Sequence, residues 1–222
     1  MRTSIVIPAY NEEEAIEDVV NEVKAVRLPD KEIVVVDDGS SDGTYTIASR
    51  MKGIRLLRHA KNKGKAGALE TGFDNSSGQV LATIDADCTY PAKEIAVMSR
   101  LIADGKADVV IGSRFMGRET GMSKLNYLGN VFFSGLISML TGKRVTDASS
   151  GLRALRKEVW DSIEVKSKGL DWEVEFTTRV LRKGYRLVEI PIEYNERVGQ
   201  AKLSPLRDGL RFLRAILRAS FF

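Results

Sequence analysis

Short β-branched, apolar runs alternate with longer segments whose apolar positions recur every three or four residues, most clearly in the first half of the chain. Strands are predicted over Ser4 to Ala9, Glu32 to Val36, Ile54 to Arg58, Gly78 to Ile84 and Ala107 to Gly112. Helices are predicted over Asn11 to Val26, Ala66 to Phe73 and Glu94 to Ala103, the first with acidic residues in its opening turns. Glu32 to Val36 and Gly78 to Ile84 read as buried strands, as expected of strands covered on both sides of a parallel sheet. Alternation of this kind argues for right-handed βαβ units and an α/β fold with a mainly parallel central sheet flanked by helices. The second half differs. Lys124 to Thr141 reads as a long apolar helix, with Leu125, Leu128, Phe132, Leu136 and Leu140 on one face, and Asp171 to Glu175 opens another helix. Arg186 to Ile190 reads as a strand that Pro191 to Tyr194 prolongs, and Leu203 to Phe222 as a C-terminal amphipathic helix. No repeat and no Pro- or Ser-rich linker interrupts the chain, so one domain over 1–222 is expected.

With 222 residues, 43% of them hydrophobic and 29% charged, the chain has a soluble globular composition and enough length for a substantial core. Leu125 to Leu140 is too short and too often interrupted by Asn and Ser to span a bilayer comfortably. Ser4 to Ile7, followed at once by Asn11-Glu12-Glu13-Glu14, is unlike a signal peptide. Cys88 is the only cysteine, which excludes an internal disulfide framework and fits a reducing cytoplasm. The net charge of +4 is unevenly placed: Arg207, Arg211, Arg214 and Arg218 face a single Asp208 in the last helix. That arrangement suits an interfacial helix on anionic lipid, with core docking or dimerisation as the alternative use.

Candidate chemistry concentrates where predicted strands end. Asp85 and Asp87 follow the fourth strand two residues apart, a spacing that in a strand turns both carboxylates toward one cation beyond the carboxyl edge. Oxygen ligands of that kind suit Mg²⁺ or Mn²⁺, which lean on one or two carboxylates plus substrate phosphates. A strand end followed by a helix cap is the plainer explanation of the same residues. After the second strand, Asp37 to Thr44 is a loop of carboxylates, glycines and hydroxyls, fit both to meet a nucleotide's base and ribose and to cap a helix at Ser41 or Asp42. Lys61, Lys63 and Lys65 lie in a glycine-containing loop that could meet anionic oxygen, Lys61 and Lys63 reading better as solvated residues. His59, the only histidine, has no second metal-type partner nearby in sequence and reads as structural.

Taken in order, several stretches resemble the family 2 glycosyltransferases of GT-A fold, and within them the dolichyl-phosphate mannose synthase-like branch. These are Val6 to Glu12, Val35 to Thr44, Asp85-Ala86-Asp87, Ile111 to Arg114, Asp147 to Arg153, and Glu196 to Leu203, the last similar to an E-R-x-x-G-x-S-K-L element. The resemblance implies a nucleotide-diphospho-sugar transferase fold, with a nucleotide-sugar-binding half over 1–115, an acceptor-binding half over 116–202 and an amphipathic helix over 203–222. It implies that Pro8, Tyr10, Glu12 and Asp37 line the donor pocket, that Asp85 holds the donor or a metal-bound water, and that Asp87 ligates the metal. Arg114, Ser150, Arg197 and Lys202 would handle anionic oxygens of acceptor or diphosphate. Thr89 stands where the synthase branch tends to carry a metal-binding Gln, so its hydroxyl is the candidate third contact.

The implied reaction moves mannose or glucose, with inversion, from a nucleotide-diphosphate sugar to a polyprenyl phosphate at the membrane surface. GDP-mannose is the favoured donor and UDP-glucose the second. The implied location is the cytoplasmic face of a membrane, held peripherally, with a membrane-protein partner or a homodimer as further options and no nucleic acid. A glycan hydroxyl acceptor would instead need a general base, for which Asp147 is the candidate. A non-catalytic nucleotide-sugar or lipid-binding module is the reading from another class. A nucleotidyltransferase is disfavoured because Pro8 to Glu12, after the first strand, is acidic rather than glycine-rich and basic.

Overall fold

A computed structural model describes residues 1–116, 122–198 and 205–221, without the side chains of 205–207. Lys202 and the rest of the 199–204 stretch lie outside the described residues. Seven strands form one sheet: β1 (Thr3–Ala9), β2 (Lys31–Asp37), β3 (Arg55–Arg58), β4 (Val80–Thr83), β5 (Val109–Ser113), β6 (Arg153–Arg156) and β7 (Leu187–Pro191). Their spatial order is β3-β2-β1-β4-β6-β5-β7. All neighbours are parallel except β6, which runs antiparallel between β4 and β5. The chain therefore winds outward from β1 through β2 to β3 and then returns to β4 on β1's other side. This leaves a switch point at the carboxyl ends of β1 and β4, the place where open α/β sheets bind ligands.

Helices cover both faces: α1 (Ile16–Ala25), α2 (Thr44–Arg50), α3 (Gly64–Asp74), α4 (Glu94–Ala103), α5 (Lys124–Thr141), α6 (Lys157–Ser162), α7 (Trp172–Arg182) and α8 (Pro205–Phe221). Alternate residues of β1 divide between two cores. Ile5 and Ile7 join Val20, Val35 and Ile95 on the α1 and α4 side, while Val6 joins Val34, Leu69, Phe73 and Phe176 on the α3 and α7 side. A third core joins α5, α7 and α8 through Ile137, Val174, Leu181, Phe212 and Ile216.

Three expectations change. β6 was not expected as a strand: Arg153, fully buried in it, donates to the carbonyls of Ser150 and Ala148 and to Thr177 Oγ1, so a charge occupies a core position. The first helix begins at Ile16 instead of Asn11. Asn11 is left-handed (φ 50°), and the amides of Asn11, Glu12 and Glu13 donate to Ser40 Oγ, Thr44 Oγ1 and Asp42 Oδ2. Side-chain acceptors from the next loop thus outcompete a further helical turn. The last helix uses Phe212, Ala215, Ile216 and Ala219 for core packing and leaves Leu210 and Leu217 outside.

α8 is also tied down electrostatically. Glu175, on α7 and fully buried, accepts from Lys166 N, Ser167 N, Ser167 Oγ, Arg179 Nε and Arg218 Nη2. Burial alone would raise its pKa. The bonds from Ser167, Lys166, Arg218 and Arg179 outweigh burial and hold the carboxyl below its ordinary range. A depressed folded-state pKa contributes stability that is present above the unfolded-state value and lost as pH falls through the folded one. Glu175→Gln is therefore expected to cost about 2–3 kcal/mol at neutral pH, since Arg218 is partly exposed. Thermal melts should show the gap from wild type shrinking below about pH 4. A gap that stays constant on acidification would contradict this.

Candidate active site

The carboxyl edge of the sheet carries two loops fastened to each other. Asp38, at the end of β2, accepts from His59 Nδ1 (2.6 Å), Lys63 N (2.9 Å) and Gly64 N (2.9 Å), and the other His59 nitrogen meets Thr71 Oγ1 at 2.9 Å. His59 is thus a buried strut between loops. Asp42 caps α2 by accepting from Thr44 N (3.0 Å), because Gly43 is already helical in its dihedrals. Asp37 is fully buried and accepts from Ser40 N (3.3 Å) and Arg58 Nε (3.1 Å). A 480 Å³ recess opens beside it, lined by Gly39, Ser40, Arg58, His59 and Ala60. Pro8 and Ala9 pair with Val36 and Asp37 across the sheet, which sets Tyr10 and Glu12 at the same edge.

The ladder of β4 ends at Thr83, so Asp85 and Asp87 sit on a turn past it. This corrects the expectation that strand geometry would aim both at one cation: the turn sends them to different partners. Asp85 Oδ1 lies 2.5 Å from Lys65 Nζ, which also meets Glu173 Oε1 at 2.6 Å. Burial would lower the Lys65 pKa, but Asp85 and Glu173 outweigh it and hold the ammonium above its ordinary range. Asp87 Oδ1 accepts from Thr89 N (3.2 Å) and Thr89 Oγ1 (2.6 Å), while Oδ2 accepts from Arg197 Nη1 (2.8 Å). The other end of that guanidinium reaches Glu12 Oε1 at 2.7 Å. Thr89 thereby fixes the carboxylate of Asp87. Cys88 between them is left-handed (φ 61°), and burial, then Asp18 and Glu22, push its thiol up to about 11, so it stays protonated at neutral pH.

Distant segments clamp this turn. The amides of Asn195 and Val198 donate to the carbonyls of Thr89 and Asp87 (3.0 and 3.1 Å), which lays Arg197 against the acidic pair. Tyr90 OH accepts from Gly151 N at 2.9 Å. A Cβ on Gly151 would lie 2.5 Å from Asp85 Oδ2, so only glycine leaves that carboxylate where it is. Gly151→Ala is expected to cut turnover about tenfold or more by shifting Asp85, with a much smaller loss of stability. Steady-state rates beside a thermal melt check this, and unchanged turnover would count against Asp85 having a working position.

Arg114 follows β5 and is buried against Asp147, donating from its amide (3.0 Å), Nε (2.7 Å) and Nη2 (2.7 Å). Nη2 also reaches Ser149 Oγ at 3.0 Å. Two corrections follow. The Nε and Nη2 donors that would form a bidentate phosphate fork already hold Asp147, and Asp147 is a fully buried counter-ion, unsuited to serve as an open base. Ser150 is fully buried, and its Oγ has no partner among the described residues. Sequence reasoning missed Glu173, read only as a helix opening, because nothing local connects it to Lys65 more than a hundred residues earlier.

Oxygen donors dominate the turn, but among the described residues no three His, Cys, Asp or Glu side chains converge as a metal cage. Asp87 fits a cation completed by a ligand's own phosphates, as Mg²⁺ and Mn²⁺ prefer, and it already holds a positive group in Arg197.

The sheet order and the acidic turn at its switch point define a ligand-binding α/β protein of the doubly wound class. The chain belongs to glycosyl transferase family 2, whose sequence model matches residues 4–163. It is 36% identical over 216 residues to a dolichyl-phosphate hexose transferase of Haloferax volcanii, covering 97% of this chain and 92% of that protein. It is 32% identical over 223 residues to the polyprenol monophosphomannose synthase of Mycolicibacterium smegmatis, covering 91% and 81%. Among solved structures, glucosyl-3-phosphoglycerate synthase from Mycobacterium tuberculosis in complex with Mn²⁺, uridine-diphosphate and phosphoglyceric acid matches with a TM-score of 0.79 at 20% identity. That match covers 100% of this chain and 79% of the other, and it gives the fold as GT-A-like. The chain is thus a glycosyltransferase, which sets aside a non-catalytic module. No described helix is long and apolar enough to cross a membrane.

Proposed function

We propose that the chain transfers a hexose from a nucleotide-diphosphate sugar to a polyprenyl phosphate at a membrane surface, on the cytoplasmic side, with GDP-mannose ahead of UDP-glucose as donor. The nucleoside would sit in the recess beside Asp37, flanked by Pro8, Tyr10 and Glu12, with its diphosphate over the acidic turn. Asp87, oriented by Thr89, would hold a Mg²⁺ or Mn²⁺ ion, and Asp85, fixed by Lys65 and Gly151, would face the donor. A bound divalent ion supplies charge neutralisation for the departing nucleoside diphosphate.

The observation that favours a phosphate acceptor is the state of Asp147. A sugar hydroxyl needs a base, and the carboxylate available for it is buried and committed to Arg114. A lipid phosphate needs none, since its second pKa is near 6 and it is largely dianionic at neutral pH. In this reading a phosphate oxygen attacks the anomeric carbon, the bond from that carbon to the diphosphate oxygen breaks from the opposite face, and the electron pair leaves with the nucleoside diphosphate. Arg197, shared between Asp87 and Glu12 and 28% exposed on its side chain, would meet the acceptor's phosphate oxygens, with Lys202 as a further candidate, whereas Ser150 is fully buried.

Transfer from labelled GDP-mannose and UDP-glucose should be measured onto a polyprenyl phosphate and onto a sugar with free hydroxyls. Label in the lipid phosphate alone is expected. Label in the sugar alone would overturn the acceptor assignment.

A further inference from the structure

The recess beside Asp37 holds an arginine with two unused donors. Arg58 closes β3, directly across the parallel ladder from Asp37, and its side chain lines the recess. Its Nε donates to Asp37 Oδ2 at 3.1 Å, and its guanidinium carbon lies 4.0 Å from the centroid of the half-buried Tyr45 ring. The first contact fixes one edge of the guanidinium and the second its plane, so the group is oriented before any ligand arrives. Its Nη1 and Nη2 donate to nothing among the described residues, and its side chain is 49% exposed. The walls around it are rigid. A Cβ on Gly39 would lie 2.9 Å from Asn62 N, and Asp38 accepts from His59, Lys63 and Gly64 across the same gap. At 480 Å³ the recess has the size of a small-molecule site.

We propose that Arg58 reads the donor's base, its Nη1 and Nη2 donating to the O6 and N7 acceptors of a guanine. A planar fork of two donors needs two acceptors side by side, and guanine presents that pair on one edge. Adenine sets its N6 amino donor beside N7, so one arm of the fork would meet a donor. Uracil flanks O4 with a carbon on one side and the N3 proton on the other, so only one arm finds an acceptor. A site whose polar groups are left unpaired by the wrong ligand discriminates strongly against it. Arg58 is therefore a specificity-determining residue for guanosine diphosphates, and Asp37 and Tyr45 position it. The inference deepens the donor reading given above and rests on its placing of the nucleoside in this recess.

The test is calorimetric binding of GDP, UDP and 7-deaza-GDP, each with Mg²⁺, to the full chain and to its Arg58→Lys variant. Wild type should bind GDP at least about tenfold more tightly than UDP. It should bind 7-deaza-GDP, in which a carbon replaces the N7 acceptor, at least about fivefold more weakly than GDP. Arg58→Lys keeps a cation beside Asp37 but has no fork. It should lose the preference for GDP over 7-deaza-GDP and most of that over UDP, while UDP itself binds within about threefold of wild type. Equal affinity of wild type for GDP and 7-deaza-GDP would overturn the proposal without recourse to any variant. An equal loss of GDP and UDP affinity in Arg58→Lys would also overturn it, since that is the mark of a purely structural ion pair. Guanine preference as expected, with no sugar transfer to any lipid phosphate, would leave the role of Arg58 standing while removing the acceptor assignment. Transfer to lipid phosphate from UDP-glucose alone would do the reverse.

Discussion

Asp87→Ala is expected to lower sugar transfer by about a thousandfold, with the fold retained. Its carboxylate is held from two sides: by Thr89 from the turn itself and by Arg197 from the segment bonded to the Thr89 and Asp87 carbonyls. Losing a preorganised charge contact to a departing diphosphate typically costs a factor of about 10²–10³, and losing the bound ion with it takes the effect to the upper end. The fall should appear mainly in kcat if the contact strengthens as the diphosphate departs. Asp87→Asn, which keeps the Thr89 bonds available but not the charge, should be nearly as impaired. Activity within tenfold of wild type for either variant would remove Asp87 from the machinery.

Arg114→Ala should have the largest effect on stability. It strips Asp147, fully buried, of its bidentate partner and leaves an uncompensated charge, a change worth about 3–5 kcal/mol. For a chain of this size the melting temperature should fall by roughly 10 °C. Arg114→Lys should recover only part of the loss, since an ammonium cannot reproduce the fork. The double variant Arg114→Met/Asp147→Asn should be more stable than Arg114→Ala, because it removes both charges together. If it were less stable, the pair's burial would not be the source of the loss.

Much of the fold was legible because buried parallel strands and amphipathic helices announce themselves locally. The expected Ser4 to Ala9, Glu32 to Val36 and Glu94 to Ala103 fall within two residues of β1, β2 and α4, and Lys124 to Thr141 coincides with α5. β6 was illegible for a physical reason: Arg153 fills a core position by bonding to the Ala148 and Ser150 carbonyls, so the run R-A-L-R carries no apolar period. The site was legible as a list of residues but not as an arrangement. Spacing suggested that Asp85 and Asp87 share one cation, yet their directions are set by Lys65 with Glu173 and by Arg197 with Glu12. Such partners lie 20 to 110 residues away in sequence, and no local period encodes them. The apolar period of α5 was likewise visible, but not that its Leu125, Leu128 and Phe132 side faces outward while Leu136 and Leu140 pack inward.

The proposed role of the Asp87 turn is to hold a divalent ion together with the donor's diphosphate. Mn²⁺ titration followed by electron paramagnetic resonance, with and without a nucleoside diphosphate, tests it on the full chain and on Asp87→Ala. Weak capture of Mn²⁺ alone is expected, because Arg197 already neutralises Asp87, with strong capture once the diphosphate is present and loss of that capture in the variant. Equal Mn²⁺ capture by the two proteins in the presence of diphosphate would contradict it.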